Sequence, residues 1–330
     1  MSNTYDIIYQ FWNSAVLRAG IKLGIFSLLE EKQPCSCESI VNSLKSNPKF
    51  MHSFLEACVV LGLLEKEGND YRNTKETSES LIPGKSNYIG DLALHITNYW
   101  STWGKLDRLI LEGRTELPFD NGFVDAQTYW KDYMYGQHNR AESGQIDNLI
   151  QNTDLTGRKK LLDVGGGMGS YSLPLCKAYS NLQVCLLDAK ESLELARKLV
   201  RENNMSDRVV LKEGNFHTVE LNEDYDVVLI SGVVCITSEE ENRKIFSRAF
   251  EVLEPGGLII VQDFMQMGEN NQKHFLDTMM DLYLKIAFDP GSADYPSEDI
   301  ASWLTDAGFE KHKQTFLPTQ LNLITAEKPR

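Results

Sequence analysis

Apolar and polar positions change rhythm once along this chain. From Ile7 to Leu64 the apolar residues recur every three or four positions: Ile7, Ile8, Phe11, Trp12, Ala15, Val16 and Ala19, then Ile25 to Leu29, then Met51 to Leu64. That is the spacing of one helix face. Gly20 and Gly24 punctuate the first pieces, residues 36–47 read as a short helix, and Asn47-Pro48 marks its end. Between Glu65 and Thr74 a charged turn is flanked by short extended segments, so helices run into a small β-wing. Further helices are predicted over 90–113 and from about Ala126 to Asn152, with a loop at Pro118–Phe123 between them.

Beyond Gly157 the rhythm is different. Short apolar runs, at Leu161–Val164, Val184–Asp188, Val209–Lys212, Asp226–Ser231 and Leu258–Asp263, alternate with helical stretches. That alternation predicts an α/β fold, a parallel sheet with helices on both faces. Phe309–Phe316 and Leu321–Glu327 lie too close together for a crossover helix, and read as an antiparallel hairpin at the sheet edge.

Composition narrows the class. A length of 330 residues allows one large domain or two ordinary ones, and 42% hydrophobic residues supply a sizeable core. A formal charge of −14 argues against binding a nucleic-acid backbone or an anionic membrane surface. No apolar run approaches a membrane span, and the first twenty residues lack a signal-peptide pattern. Six scattered cysteines point to reduced thiols, and Cys35-x-Cys37 lacks the second pair of a zinc site. The expectation is a cytoplasmic globular protein without a metal, and without a nucleic-acid or membrane partner.

The chemistry concentrates after the first buried strand. Asp163-Val-Gly165-Gly166-Gly167-Met168-Gly169 reads as a carboxylate at a strand end, a glycine-rich turn, then a helix near Ser170. Nineteen residues past Gly169, a second apolar strand ends in Asp188, placed to take both hydroxyls of a ribose. The dinucleotide fingerprint needs a glycine where Ser170 stands, so the match to it fails. The D-x-G-x-G-x-G spacing instead resembles motif I of class I S-adenosylmethionine (SAM) methyltransferases.

Later motifs fall in the same order. Gly214-Asn215-Phe216 follows the third strand, Val252-Leu-Glu-Pro-Gly-Gly257 precedes the fifth, and Ala307-Gly308-Phe309 precedes the sixth. With the helices and wing ahead of them, nearly all of the chain resembles the caffeate, acetylserotonin and bacterial polyketide O-methyltransferase family. The resemblance implies a Rossmann-like seven-stranded SAM-binding domain over 157–330. It implies a mainly α-helical winged-helix dimerisation domain over 1–113, and a helical linker contributing to the acceptor pocket over 114–156. It further implies a homodimer through the amino-terminal helices and a small-molecule acceptor. Residue by residue, Gly165 and Gly167 would face the methionine end of SAM and Asp188 its ribose. Asn215 would meet the adenine amino group, and Phe216 would pack on the ring. Ser231 occupies a further cofactor position, and Met134 resembles the methionine that roofs the cofactor.

The catalytic positions depart from the family pattern. The general-base histidine falls on Cys235, and Asp263, 28 residues later, and Asp294 stand where the family has glutamates. Asp289 replaces an asparagine that often touches the acceptor. A thiol near pH ~8.5 is pushed higher by burial and by neighbouring carboxylates, so Cys235 reads as a small buried residue rather than a base. Three routes stay open: Asp263 or Asp294 as base; His95, His138 or Tyr99 reaching in; or an acceptor that needs no base. C- or S-methyl transfer therefore stays open beside O-methylation. So does a SAM-binding winged-helix regulator without transfer, although Glu30, Glu31, Glu56, Glu65 and Glu67 dilute any basic recognition face.

Overall fold

The computed structural model describes residues 4–32, 34–221, 224–266, 275–317 and 321–330. They form two units. One takes the residues up to Ser101 together with Gly122–Ser143, the other Thr102–Asn121 together with Gly144–Arg330.

In the first unit, α1 (Thr4–Leu23) and α2 (Ile25–Lys32) lead to β1 (Cys35–Ser36), α3 (Cys37–Leu44) and α4 (Pro48–Val60). The hairpin β2 (Leu64–Glu67) and β3 (Asp70–Asn73) follows, then α5 (Lys75–Ser80). β3 lies between β1 and β2, antiparallel to both. Helices followed by a wing are thus what forms. Asn47-Pro48 starts α4 rather than ending the helix before it. Asn47 Oδ1 accepts the N–H groups of Lys49 and Phe50, and a capping Asn before Pro at the first helical position is a start signal. α3 stops instead at Lys45, which takes a left-handed conformation. Ile25, Phe26, Leu29, Ile40, Leu55 and Tyr71 fill the core of this unit. The first half of α1 keeps its apolar side chains exposed: Phe11 is 63% and Trp12 55% accessible.

Residues 90–113 are three short helices, α6 (Gly90–Asn98), α7 (Trp100–Trp103) and α8 (Leu106–Glu112). Residues 126–152 also break, into α9 (Ala126–Arg140), a π-helical turn Ala141–Gln145 and α10 (Ile146–Asn152). The cause is local. Ser143 Oγ donates back to the Asn139 carbonyl and Gly144 takes a φ of 97°, so the regular ladder cannot run through.

The second unit continues with β4 (Lys160–Val164), α11 (Ser172–Ala178), β5 (Gln183–Asp188), α12 (Lys190–Glu202), β6 (Val209–Glu213) and β7 (Tyr225–Ser231). Then come α13 (Glu239–Val252), β8 (Leu253–Asp263), β9 (Met265–Gln266), α14 (Phe275–Ala287), β10 (Tyr295–Pro296), α15 (Ser297–Asp306), β11 (Glu310–Thr315) and β12 (Asn322–Glu327). Seven strands pair in the order β11-β12-β8-β7-β4-β5-β6. β4 to β8 run parallel, and β12 and β11 return antiparallel at the edge. Among the described residues no helix is long and apolar enough to cross a membrane.

Alternation along the strands gives the sheet two distinct faces. Val164, Val228, Ile230, Ile259 and Val261 pack on one side against Ile245 and Phe246 of α13 and Ile300 and Trp303 of α15. Leu161, Leu186, Val227, Leu229 and Ile260 pack on the other against Leu149, Leu173, Leu175 and Leu193 of α10, α11 and α12. The chain leaves β4 towards β5 and β6, then crosses back to β7 on the far side of β4. That reversal opens a crevice at the carboxyl ends of the central strands, where ligands bind in such sheets.

Candidate active site

The glycine turn after β4 shapes the crevice. Gly165 takes a φ of 67°, and its N–H donates to the Leu187 carbonyl at 2.9 Å, tying the turn to the end of β5. A Cβ at Gly165 would stand 2.8 Å from Val233 Cγ2, and one at Gly166 would run into Asp163 Oδ2. The first position needs glycine for conformation and space, the second for space alone.

Asp163 lies fully buried beneath that turn. Burial pushes its carboxyl up to about 7; the Ser172 hydroxyl opposes the shift and the Asp188 charge adds to it. Among the described residues its Oδ2 has no hydrogen-bond partner. Asp188 closes β5. Its Oδ2 accepts the Gly167 N–H at 2.8 Å and its Oδ1 the Ala189 N–H at 2.6 Å, and two acceptor positions remain for hydroxyls. The Gly214 N–H donates to the Asp188 carbonyl at 3.1 Å, bringing Asn215 and Phe216 beside it. Asn215 is exposed, and its Oδ1 accepts the His217 N–H at 2.8 Å, which leaves that oxygen a second lone pair. Phe216 is buried, with the Arg248 guanidinium over its ring at 5.5 Å. Arg248 also donates to the His217 and Val219 carbonyls, so it pins the whole loop. Ser231 ends β7, and its buried Oγ has no partner among the described residues. Met134 belongs to the first unit, buried within α9.

By strand alternation, Asp163, Asp188 and Ser231 project from the same side of the sheet. A buried carboxylate oxygen and hydroxyl without partners, a second carboxylate at the rim, and a turn that a Cβ would fill fit a nucleoside cofactor with a polar tail. SAM has that form.

Asp263 projects from the opposite side. It is fully buried, and burial pushes its carboxyl up to about 6, against hydrogen bonds from the Cys235 thiol and from nearby backbone. Its Oδ2 accepts the Val234 N–H at 2.7 Å and the Cys235 N–H at 3.4 Å, and its Oδ1 the Phe264 N–H at 2.8 Å. Asp263 thus holds the 3₁₀ turn Val234–Ile236 that carries the buried Cys235. β10 pairs parallel with β9, Tyr295 opposite Met265, so Asp294 comes opposite Phe264. Asp294 is buried; its N–H donates to Asp281 Oδ1 at 3.3 Å and its carbonyl accepts from Gln266 Nε2 at 3.0 Å. The Tyr295 hydroxyl lies 3.0 Å from the Thr237 carbonyl and 2.7 Å from that of Gly291. The segments bearing Cys235, Asp263 and Asp294 therefore converge.

The other base candidates lie in the first unit. His95 is fully buried, and burial, reinforced by the Arg140 charge, pushes its imidazole down to about 3. The Tyr99 hydroxyl is 2.5 Å from that of Tyr129, and His138 Nε2 is 3.5 Å from Glu142 Oε1.

Two residues escaped the sequence reading. Arg248 carries no motif and reaches Phe216 only through the packing of α13. Gln262 sits in register with Ser231, and its one signal is a polar interruption of the apolar run Leu258–Val261.

Residues 103–310 match the O-methyltransferase domain family, and residues 5–81 match the O-methyltransferase dimerisation domain. The chain is 26% identical over 324 residues to the tetracenomycin polyketide synthesis 8-O-methyl transferase TcmO of Streptomyces glaucescens, spanning 97% of this chain and 94% of that one. It is 26% identical over 330 residues to the N,N-dimethyltransferase OxyT of Streptomyces rimosus, with the same shares of 97% and 94%. The fold matches human N-acetylserotonin methyltransferase in complex with SAM at a TM-score of 0.88 and 20% identity, over 100% of this chain and 99% of that one. The chain belongs to the O-methyltransferase family, and it is a SAM-dependent methyltransferase.

Proposed function

We propose that this enzyme methylates a hydroxyl of a small aromatic or bulky apolar molecule in the cytoplasm, as a homodimer joined through its amino-terminal helices. The observation that carries the cofactor half is the glycine turn over buried Asp163, with Asp188 at the rim. In this reading Gly165 and Gly167 face the methionine end, Asp188 the ribose, and Asn215 and Phe216 the adenine. The acceptor class is supported by end-to-end similarity to TcmO, whose name places it in polyketide synthesis.

Bound SAM supplies a sulfonium methyl, and an acceptor hydroxyl that takes it must shed one proton. Asp294 takes that proton at a carboxylate oxygen. Asp263 keeps the 234–236 turn in place, so that Cys235 and its neighbours hold the acceptor in line; positioning supplies much of the acceleration. The thiol at 235 also favours a second reading, transfer to nitrogen or carbon, where little base strength is needed; OxyT is an N,N-dimethyltransferase by name. A screen of phenols, anilines and thiols with isotopically labelled SAM separates the two. Label recovered only on nitrogen or carbon would sink the hydroxyl reading.

Calorimetry tests the cofactor assignment. S-adenosylhomocysteine should bind with a micromolar Kd, about −8 kcal/mol. Asp188→Ala should weaken it by about 1.5–3 kcal/mol, the range for hydrogen bonds to a charged group. Binding of NADH without S-adenosylhomocysteine would overturn the assignment.

The dimer is tested at α1. Ile7, Ile8, Phe11 and Trp12 form an exposed apolar surface on one helix, and such a surface marks an interaction site. Light scattering should give twice the chain mass for the natural protein, and a monomer for the double variant Phe11→Glu, Trp12→Glu. A natural protein that scatters as a monomer at micromolar concentration contradicts the proposal.

A further inference from the structure

Ser231 and Gln262 stand side by side on β7 and β8. Val164 pairs with Ile230, so Gly165 of the cofactor turn comes level with both. Their side chains leave the sheet on the side that carries Asp163 and Asp188. Gln262 is 0% exposed, and neither its Oε1 nor its Nε2 has a partner among the described residues. The same holds for Ser231 Oγ and Asp163 Oδ2. The neighbour of Gln262 on the other strand is Leu323, which offers no polar group.

A single such atom is a packing imperfection. Each is costly to bury unpaired, and an apolar residue at 262 would avoid the cost. A hydroxyl and an amide side by side on adjoining strands, on the side of the sheet that carries the Asp163 carboxylate, call for a shared cause. They are also complementary in kind. The carboxylate accepts, while the hydroxyl and the amide can donate. That set matches an α-amino acid zwitterion, its ammonium towards the carboxylate and its carboxylate towards hydroxyl and amide. In SAM only the amino-acid end has this chemistry.

We propose that Gln262, together with Ser231, holds the carboxylate of the cofactor's amino-acid end; this rests on SAM occupying the crevice at β4, β5 and β7. The amide is buried, and it meets the carboxylate by turning about its own side-chain torsions. Its lack of a partner among the described residues favours that turn.

The test compares two probes by calorimetry. S-adenosylhomocysteine carries the amino-acid end; 5′-methylthioadenosine keeps the nucleoside and thioether but lacks it. Gln262→Leu should raise the Kd of S-adenosylhomocysteine about tenfold, or about 1.4 kcal/mol, and leave that of methylthioadenosine within twofold. Ser231→Ala should shift it in the same direction. Gln262→Met, unbranched and close in length, gives the same reading should the leucine variant fail to fold. Unchanged S-adenosylhomocysteine affinity in these variants overturns the proposal, as does equal weakening of both probes. A natural protein that binds neither probe removes the SAM reading itself, a different failure.

Discussion

Replacing Asp263 by alanine should lower the melting temperature by about 6–12 °C, the largest stability loss expected from any single change near the site. Asp263 accepts the N–H groups of Val234, Cys235 and Phe264 in a fully buried setting. Alanine leaves all three donors without an acceptor, at roughly 1–3 kcal/mol each. Part of this is offset, because the charged carboxylate is itself strained by burial. Its folded pKa of about 6 lies above the ordinary carboxylate value of 3.8. The folded state therefore keeps this proton longer than the unfolded state as pH rises. The wild-type advantage over Asp263→Ala is largest near pH 4, shrinks as pH rises towards 6, and is level above that. The net loss at neutral pH is about 3 kcal/mol. Thermal scans of both proteins across pH 4–8 check the result. A melting temperature unchanged within a degree, or a gap that widens with pH, would show that Asp263 does not hold the turn.

The strands of the second unit were legible because β4, β5 and β7 are buried on both faces and read as unbroken apolar runs. The cofactor turn was legible because its glycines answer local demands, a positive φ at Gly165 and the Asp163 oxygen under Gly166. Where the reading slipped, the deciding interaction was one side chain onto backbone. Asn47-Pro48 closes one helix or opens the next, and only the Asn47 cap says which. The break in residues 126–152 depends on Ser143 turning back onto Asn139 and on the φ of Gly144. The catalytic cluster was legible only as far as resemblance carried it. That Asp263 is occupied with backbone donors follows from where β8 ends relative to the 234–236 turn, a relation between segments 28 residues apart. Gln262 carries no signal of its own because a lone polar residue within a predicted strand matches no motif. Its burial depends on β12 pairing alongside it, which residues 258–263 cannot reveal.

Asp294→Asn should lower kcat by ~100-fold or more, the scale of a lost general base, whereas Cys235→Ala should stay within about tenfold, or ~1.4 kcal/mol. The two carboxylates are not equivalent. Asp263 is committed to the 234–236 turn. Asp294 is placed by strand pairing, its N–H towards Asp281 and its carbonyl towards Gln266. The asparagine variant keeps size and both backbone contacts, so the fold survives while the anionic oxygen is lost. Cys235 offers less as a base: it is buried, and its thiol already donates to Asp263. A thiolate there would face a carboxylate and lose that hydrogen bond, which disfavours the charged form. Neither position lies among the proposed cofactor contacts, so S-adenosylhomocysteine affinity should be unchanged in both variants. The pH–rate profile adds a readout that folding alone would not move. The limb set by a carboxylate should vanish in Asp294→Asn and persist in Cys235→Ala. If Cys235→Ala instead abolishes transfer while Asp294→Asn is silent, the thiol is the working group. Acceptors on carbon or sulfur then displace the phenolic hydroxyl as the first class to test.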